Sequence, residues 1–303
     1  PAGKSTLEIG AASSDFCVID PSTLCTFNDE TSGTHTVPVA GCTLDKTITL
    51  LDLSDTTMTI TGGADKNNLH ELVAAPGSRH FEVTSDYTLH LSYLKLTCRS
   101  SRHGGITTLG KVYIKGVHFD GNFNGDPTTT NAESGGAIKV LTNGGAAPQL
   151  VIADSTFENC KAEKLGGAIY ATGVGTNVSI ASSMFKSNAA INNALLGPDI
   201  CGGAIYAVDG AQLTVDGTTF LSNLGTGGGA VALESSDAAT DPTRGDFTSC
   251  LFESNNATDP DSEPKAGGGI YSKNSPMLLR STTFTANDGS TGGGLYVDFA
   301  NDV

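Results

Sequence analysis

Across 303 residues the chain sets 32 Asp and Glu against 17 Lys and Arg, a net charge of −15, and it contains 38 Gly and no Trp. An acidic surface repels phosphate backbones, which excludes nucleic acid as a partner, and no run of 18 apolar residues is present to span a bilayer. Sparse charge, frequent glycine and abundant Ser, Thr, Asn and Asp favour short strands joined by turns over helices.

Residues 1–47 hold Cys17, Cys25 and Cys42 and show no apolar alternation. The segment is expected to cap the open first coil of a repeating region that starts beyond it, stapled by one disulfide among those three cysteines. No cysteine has a partner at zinc-finger spacing, so no metal site is expected. From about Ile48 the pattern changes. Leu89, Leu91, Leu94 and Leu96 step by two, three and two, which reads as two strands with one inward face and a bend between them.

The same offsets then recur with two motifs added. Val112, Ile114, Val117 and Phe119 repeat the step, followed by Leu150, Ile152 and Phe157, then Val178, Ile180 and Phe185, then Leu213, Val215 and Phe220. A Phe-x-x-Asn motif pairs Phe119 with Asn122, Phe185 with Asn188, Phe220 with Asn223, Phe252 with Asn255 and Phe284 with Asn287, whereas Phe157 is followed by Cys160. Gly-Gly-small-apolar motifs interleave, from Gly135-Gly136-Ala137-Ile138 through pairs at Gly166, Gly202, Gly228 and Gly267 to Gly292-Gly293-Gly294-Leu295. The tightest repeat of 25 residues holds three short strands and three turns but no helix. The predicted fold class is therefore all-β, a right-handed parallel β-helix over residues 48–303, with coils about 4.8 Å apart. In such a coil the Phe column stacks in the core. The Asn column hydrogen-bonds at a bend, and the glycines give a tight corner or close backbone packing. These columns build the fold and carry no chemistry.

Function must lie outside them. The distance from Phe to the next glycine pair alternates, making three long loops at 122–134, 188–201 and 255–266. Solenoid insertions emerge on one face, often the binding face. The middle loop carries Ile191, Leu195 and Leu196, which either lie back on the wall or meet a partner. After the glycine motif a tyrosine recurs as Tyr170, Tyr206, Tyr271 and Tyr296, with Lys139 and Ala232 in the other repeats. Alternation turns this column outward, where it stabilises the sheet or offers a contact surface to a glycan or protein. Cys160 and Cys201, in adjacent repeats, are expected to bridge and pin the middle loop, and Cys250 to remain a buried thiol. Sequons at Asn177-Val178-Ser179 and Asn256-Ala257-Thr258, with the cysteines, point to an extracellular, oxidising setting.

A polysaccharide-cleaving site would need carboxylates on adjacent coils. Asp154 and Asp216 stand at different offsets from their Phe residues, and no carboxylate column forms before the Phe. Asp259, Asp261 and Glu263 alternate but are broken by prolines and read as a solvated acidic loop rather than a calcium site. No enzyme activity and no cofactor is expected. The chain stops soon after the coil that opens at Gly292, so the expectation is either a longer natural chain or a second subunit over the open end, which would propagate head to tail into a filament.

The alternation of Gly-Gly-Ala-Ile with Phe-x-x-Asn over roughly residues 104–297 resembles the repeats of the chlamydial polymorphic outer-membrane proteins and related surface proteins. The resemblance implies a β-helical region at a cell surface, with an adhesive or structural role toward another surface protein, a glycan or itself. The alternative is a polysaccharide-binding or polysaccharide-cleaving β-helix.

Overall fold

A computed structural model describes residues 23–27, 32–50, 56–98, 104–125, 133–143, 147–190, 201–236, 242–257 and 266–299. All secondary structure among them is strand, and every strand pairing is parallel. The strands fall into four sheets, three of nine strands and one of six. Each coil contributes one strand to each sheet in turn, and coils 1 to 3 omit the third sheet. Coil 6 illustrates the order, with Asn177–Ala181, Met184–Lys186, Ala189–Ala190 and Ile205–Val208. Nine coils at the spacing of neighbouring strands give a stack roughly 40 Å long.

The stack begins earlier than Ile48. Gly33–Thr36 pairs with Thr56–Thr61 in the first sheet, and Cys42–Thr43 pairs with His70–Ala74 in the second. Gly33–Thr36 is largely exposed, so it carries no apolar alternation to announce it. A disulfide joins Cys25 to Cys42, one of the pairings expected, and Leu24 bridges in parallel to Thr43. Cys17 and most of the segment assigned as a cap lie outside the described residues.

A single core runs through the coils. From the first strand it takes Val112, Leu150, Val178 and Leu213 with Ile114, Ile152, Ile180 and Val215 one alternation further on. The Phe column stacks as expected. Phe119, Phe157, Phe185, Phe220, Phe252 and Phe284 are register partners, with successive centroids 4.6, 4.7, 5.1, 4.6 and 4.9 Å apart. Burying each ring contributes about 2–3 kcal/mol. Leu72 and Leu96 occupy the same column in coils 2 and 3.

Beside the rings runs an amide ladder. Asn188 Nδ2 donates to Asn223 Oδ1 at 2.9 Å, Asn223 to Asn255 at 2.8 Å and Asn255 to Asn287 at 2.9 Å. Each amide also donates to the preceding coil's Phe carbonyl, and each oxygen accepts a backbone N–H from the preceding coil's Cys or Asn. The bend that no strand can pair is thereby satisfied from within. Two further bends adopt left-handed backbone. One column runs Tyr93, Gly116, Asp154, Ser182, Gly217, Ser249 and Ser281, and the other Gly121, Asn159, Ser187, Ser222, Ser254 and Ala286, with φ between +48° and +64°. Glycine, Asp and Asn tolerate that region at least cost, and Ser, Tyr93 and Ala286 fill the remaining positions.

At the fourth corner the second glycine of each pair, from Gly136 to Gly268, touches the next coil's backbone. A Cβ on Gly203 would lie 2.1 Å from Gly229 O and 2.5 Å from Leu224 C. His80 stands where later coils carry Gly105, Ala137 and Ala168, as the N–H to carbonyl chain from 80 to 105 to 137 to 168 shows. It is fully buried, and Nε2 bonds to Leu72 O at 3.1 Å.

The expected bridge between Cys160 and Cys201 does not form; both thiols are buried and lie outside any disulfide. They belong to different columns. Cys160 takes the Asn position, its Sγ donating to Phe119 O and Glu158 O, while Cys201 sits before the glycine pair and donates to Lys164 O at 2.8 Å. Cys250 is a buried thiol, as anticipated, in the column of Ser155, Ser183 and Thr218, and burial pushes its pKa up.

Candidate functional site

The three long loops leave the coil at one corner. Their described roots are Phe123–Asn124 before Ile138–Val140, Ala189–Ala190 before Ile205–Val208, and Asn256–Ala257 before Ile270–Lys273. These roots lie in coils 4, 6 and 8, so they recur every two coils, about 10 Å apart. Ile191, Leu195 and Leu196, like Asp259, Asp261 and Glu263, lie outside the described residues. Next to this corner is the outer side of the fourth sheet, which carries the tyrosines.

The strand after each glycine pair alternates strictly. Ile169, Ile205, Val231 and Ile270 enter the core, and the residue after each, Tyr170, Tyr206, Ala232 and Tyr271, joins a second apolar cluster on the other side of the wall. Tyr170 stacks on Tyr206 at 6.0 Å, and Tyr271 on Tyr296 at 5.6 Å. The column does not form the exposed platform that alternation implies. Tyr206 is 5% exposed and Tyr271 0%, while Tyr170 and Tyr296 are half-buried. Val208, Ala232 and Leu165 pack with the rings in this cluster. The surface this column can offer a partner narrows to the two half-buried tyrosines.

A charged column runs alongside, two residues beyond the tyrosines. Val208, Glu234, Lys273 and Asp298 are consecutive register partners. Glu234 accepts from Tyr206 Oη at 2.6 Å through Oε2 and from Lys273 Nζ at 2.7 Å through Oε1. Ala232 separates the two tyrosine pairs in register, and Glu234, two residues beyond it, joins Tyr206 to Lys273. Burial, reinforced by Glu234, pushes the Tyr206 phenol far above its ordinary range, and burial does the same to Tyr271. Both hydroxyls therefore stay protonated donors. With both carboxylate oxygens committed, Glu234 acts as a lock rather than an available base. Sequence reading missed this column because carboxylates were sought before the Phe and not after the tyrosine.

The second sheet carries another charged ladder on its outer side. Lys95 pairs with Asp120 at 2.9 Å and Glu158 with Lys186 at 2.7 Å, and the His118 ring lies 3.4 Å from Glu158. Burial, more than any neighbour, holds His118 below the usual histidine range despite Asp120 and Glu158. Among the described residues no three His, Cys, Asp or Glu side chains converge where a metal ion could sit. Of the two sequon asparagines, Asn177 is exposed on the first sheet, with Nδ2 bonded to Gly175 O. Asn256 is half-buried in the third sheet, with no partner for its amide oxygen among the described residues.

A family model described as a right-handed β-helix region matches residues 104–303. No curated protein and no solved structure shows significant similarity to the chain.

Proposed function

The chain belongs to the right-handed β-helix family, a fold shared by surface proteins, adhesins and polysaccharide-active enzymes, and from that premise we propose that it is an extracellular, non-enzymatic surface protein with an adhesive or structural role. One observation carries the reading. A stack pinned by a continuous Phe column and an Asn ladder holds three long connections rooted at one corner at a two-coil interval. That is the design of a stiff rod presenting a row of variable segments, where solenoids place their contacts. The resemblance of the Gly-Gly-Ala-Ile and Phe-x-x-Asn alternation to chlamydial polymorphic outer-membrane protein repeats supports the same role. The partner is another surface protein, a glycan or a second copy meeting the rod end to end.

Replacing residues 191–200 and 258–265 by connections as short as those of coils 5 and 7 tests it. The shortened protein should keep its circular-dichroism spectrum and lose adhesion to cells or matrix. Undiminished adhesion would sink the reading. Negative-stain micrographs of the natural protein separate the partners, since fibres mean self-assembly and dispersed rods mean a foreign partner.

A further inference from the structure

The outer face of the second sheet changes character along the rod. Its three-residue strands bury the middle residue and turn the other two outward. From coil 5 to coil 9 the first outward column runs Thr156, Met184, Thr219, Leu251 and Thr283, and the second runs Glu158, Lys186, Leu221, Glu253 and Thr285. In coils 6 to 8 three of the six outward residues are large and apolar. Met184 is 38% exposed, and Leu221 and Leu251 are half-buried. Diagonal neighbours on a β wall, they make a contiguous apolar patch of the kind that meets a partner.

Charge brackets the patch symmetrically. Lys186 stands one coil before Leu221 and Glu253 one coil after it, in the same column. Lys186 Nζ donates to Glu158 Oε1 at 2.7 Å, yet its side chain is 43% exposed and keeps ammonium hydrogens for a second acceptor. Glu253 is half-buried and makes no ion pair among the described residues. A carboxylate set in such a wall gains a charge-assisted hydrogen bond from a cation brought by another molecule.

We infer that this wall pairs with the same wall of a second copy, the two rods face to face and antiparallel about a two-fold axis lying along the coil 7 strand. Such an axis reverses the order of the coils and sets each column opposite itself. Leu221 then meets Leu221, Met184 meets Leu251, and Lys186 meets Glu253, the last two contacts each made twice. Further out, Thr156 faces Thr283 and Glu158 faces Thr285, so no like charges meet. Other registers are penalised. An axis on coil 6 sets Lys186 against Lys186, and one on coil 8 sets Glu253 against Glu253. An axis between coils 6 and 7 sets Glu158 against Glu253, and one between coils 7 and 8 leaves both Lys186 and Glu253 without an opposite charge across the contact. Like charges brought together across an interface suppress the wrong pairing. Five coils give about 24 Å of contact along the rod, which is small for an interface, so the pair is weak and reversible. It is a lateral contact, distinct from an end-to-end one, and does not depend on the adhesive reading.

Sedimentation equilibrium of the whole purified chain, from about 1 to about 300 µM, should show a reversible monomer–dimer equilibrium. Leu221→Lys sets two ammonium groups together on the axis and should weaken pairing by at least about tenfold while keeping the wild-type melting midpoint. Leu278→Lys, equally exposed but on the first sheet, should leave pairing unchanged. Lys186→Glu and Glu253→Lys should each be monomeric alone and form a heterodimer when mixed, because mixing restores both charge pairs. A wild-type protein that is monomeric throughout, a dimer that Leu221→Lys leaves intact, a dimer that Leu278→Lys abolishes, or two folded charge variants that do not associate on mixing overturns the inference.

Discussion

Coils 1 to 3 and coils 4 to 9 share three continuous sheets but are held together differently. The first three lack the third sheet and carry Cys42, Leu72 and Leu96 where later coils use Phe, and coils 2 and 3 turn the fourth corner with His80 and Gly105. The last six add the short third strand, the Phe stack, the Asn ladder and the glycine pair. The family match opens at residue 104, at the end of coil 3 just before the motif coils, although the same sheets extend back to Gly33. The wall thus needs only inward apolar alternation and parallel pairing. The motif serves the extra corner, whose unpaired backbone groups need an internal partner.

The sharpest break of that contrast is at the glycine corner. Gly203→Val forces backbone apart and should cost about 4 kcal/mol or prevent folding. Gly77→Ala in coil 2, with φ +72° but nothing within 4 Å of the added carbon, should cost only about 1 kcal/mol. Urea midpoints compare them, and a Gly203→Val protein as stable as Gly77→Ala would remove the corner argument.

Acid should act on the first coils. Burial lowers the His80 pKa from 6.5 to about 4. The unfolded chain therefore binds a proton that the folded chain refuses between those values. The stability His80 contributes is complete above pH 6.5 and is lost as pH falls toward 4, by about 3 kcal/mol. Hydrogen exchange at pH 5 should show coils 1 to 3 opening before coils 4 to 9. Uniform loss across the stack would contradict this.

Asn223→Ala removes two donated and two accepted hydrogen bonds in the buried ladder and should cost about 2–3 kcal/mol. Phe185→Leu, which imposes the residue type of coils 2 and 3 on a motif coil, should cost about 1–2 kcal/mol. A larger loss than in Asn223→Ala would mean that the stacked rings rather than the amides hold the motif coils. The smallest effect is a gain. Cys160→Asn joins the ladder at its one departure and should add about 1 kcal/mol, read as a rise in melting midpoint. A fall would show that coil 5 cannot seat the larger side chain.

The Phe and Asn columns were legible because inward positions obey a local period of two interrupted by a three-residue step. Gly33–Thr36 was not, since an exposed, short strand has no apolar signature, and only its pairing to Met58–Thr61 reveals it. The tyrosine column was placed on the correct side of the wall, but its burial was invisible. Cys160 and Cys201 looked close by repeat number, yet they occupy columns that lead their thiols to different carbonyls.

By itself, then, the sequence determined the coil, its inward columns and the corner from which the long loops leave. Each of these follows from steric and apolar demands within one repeat. The tertiary structure alone decided which outward residues are covered and which charges meet. Glu234 joins Tyr206 and Lys273 across 28 and 39 residues of chain. Such contacts depend on which side chains the stacking of neighbouring coils sets side by side, and variable loop lengths hide that register from any single repeat.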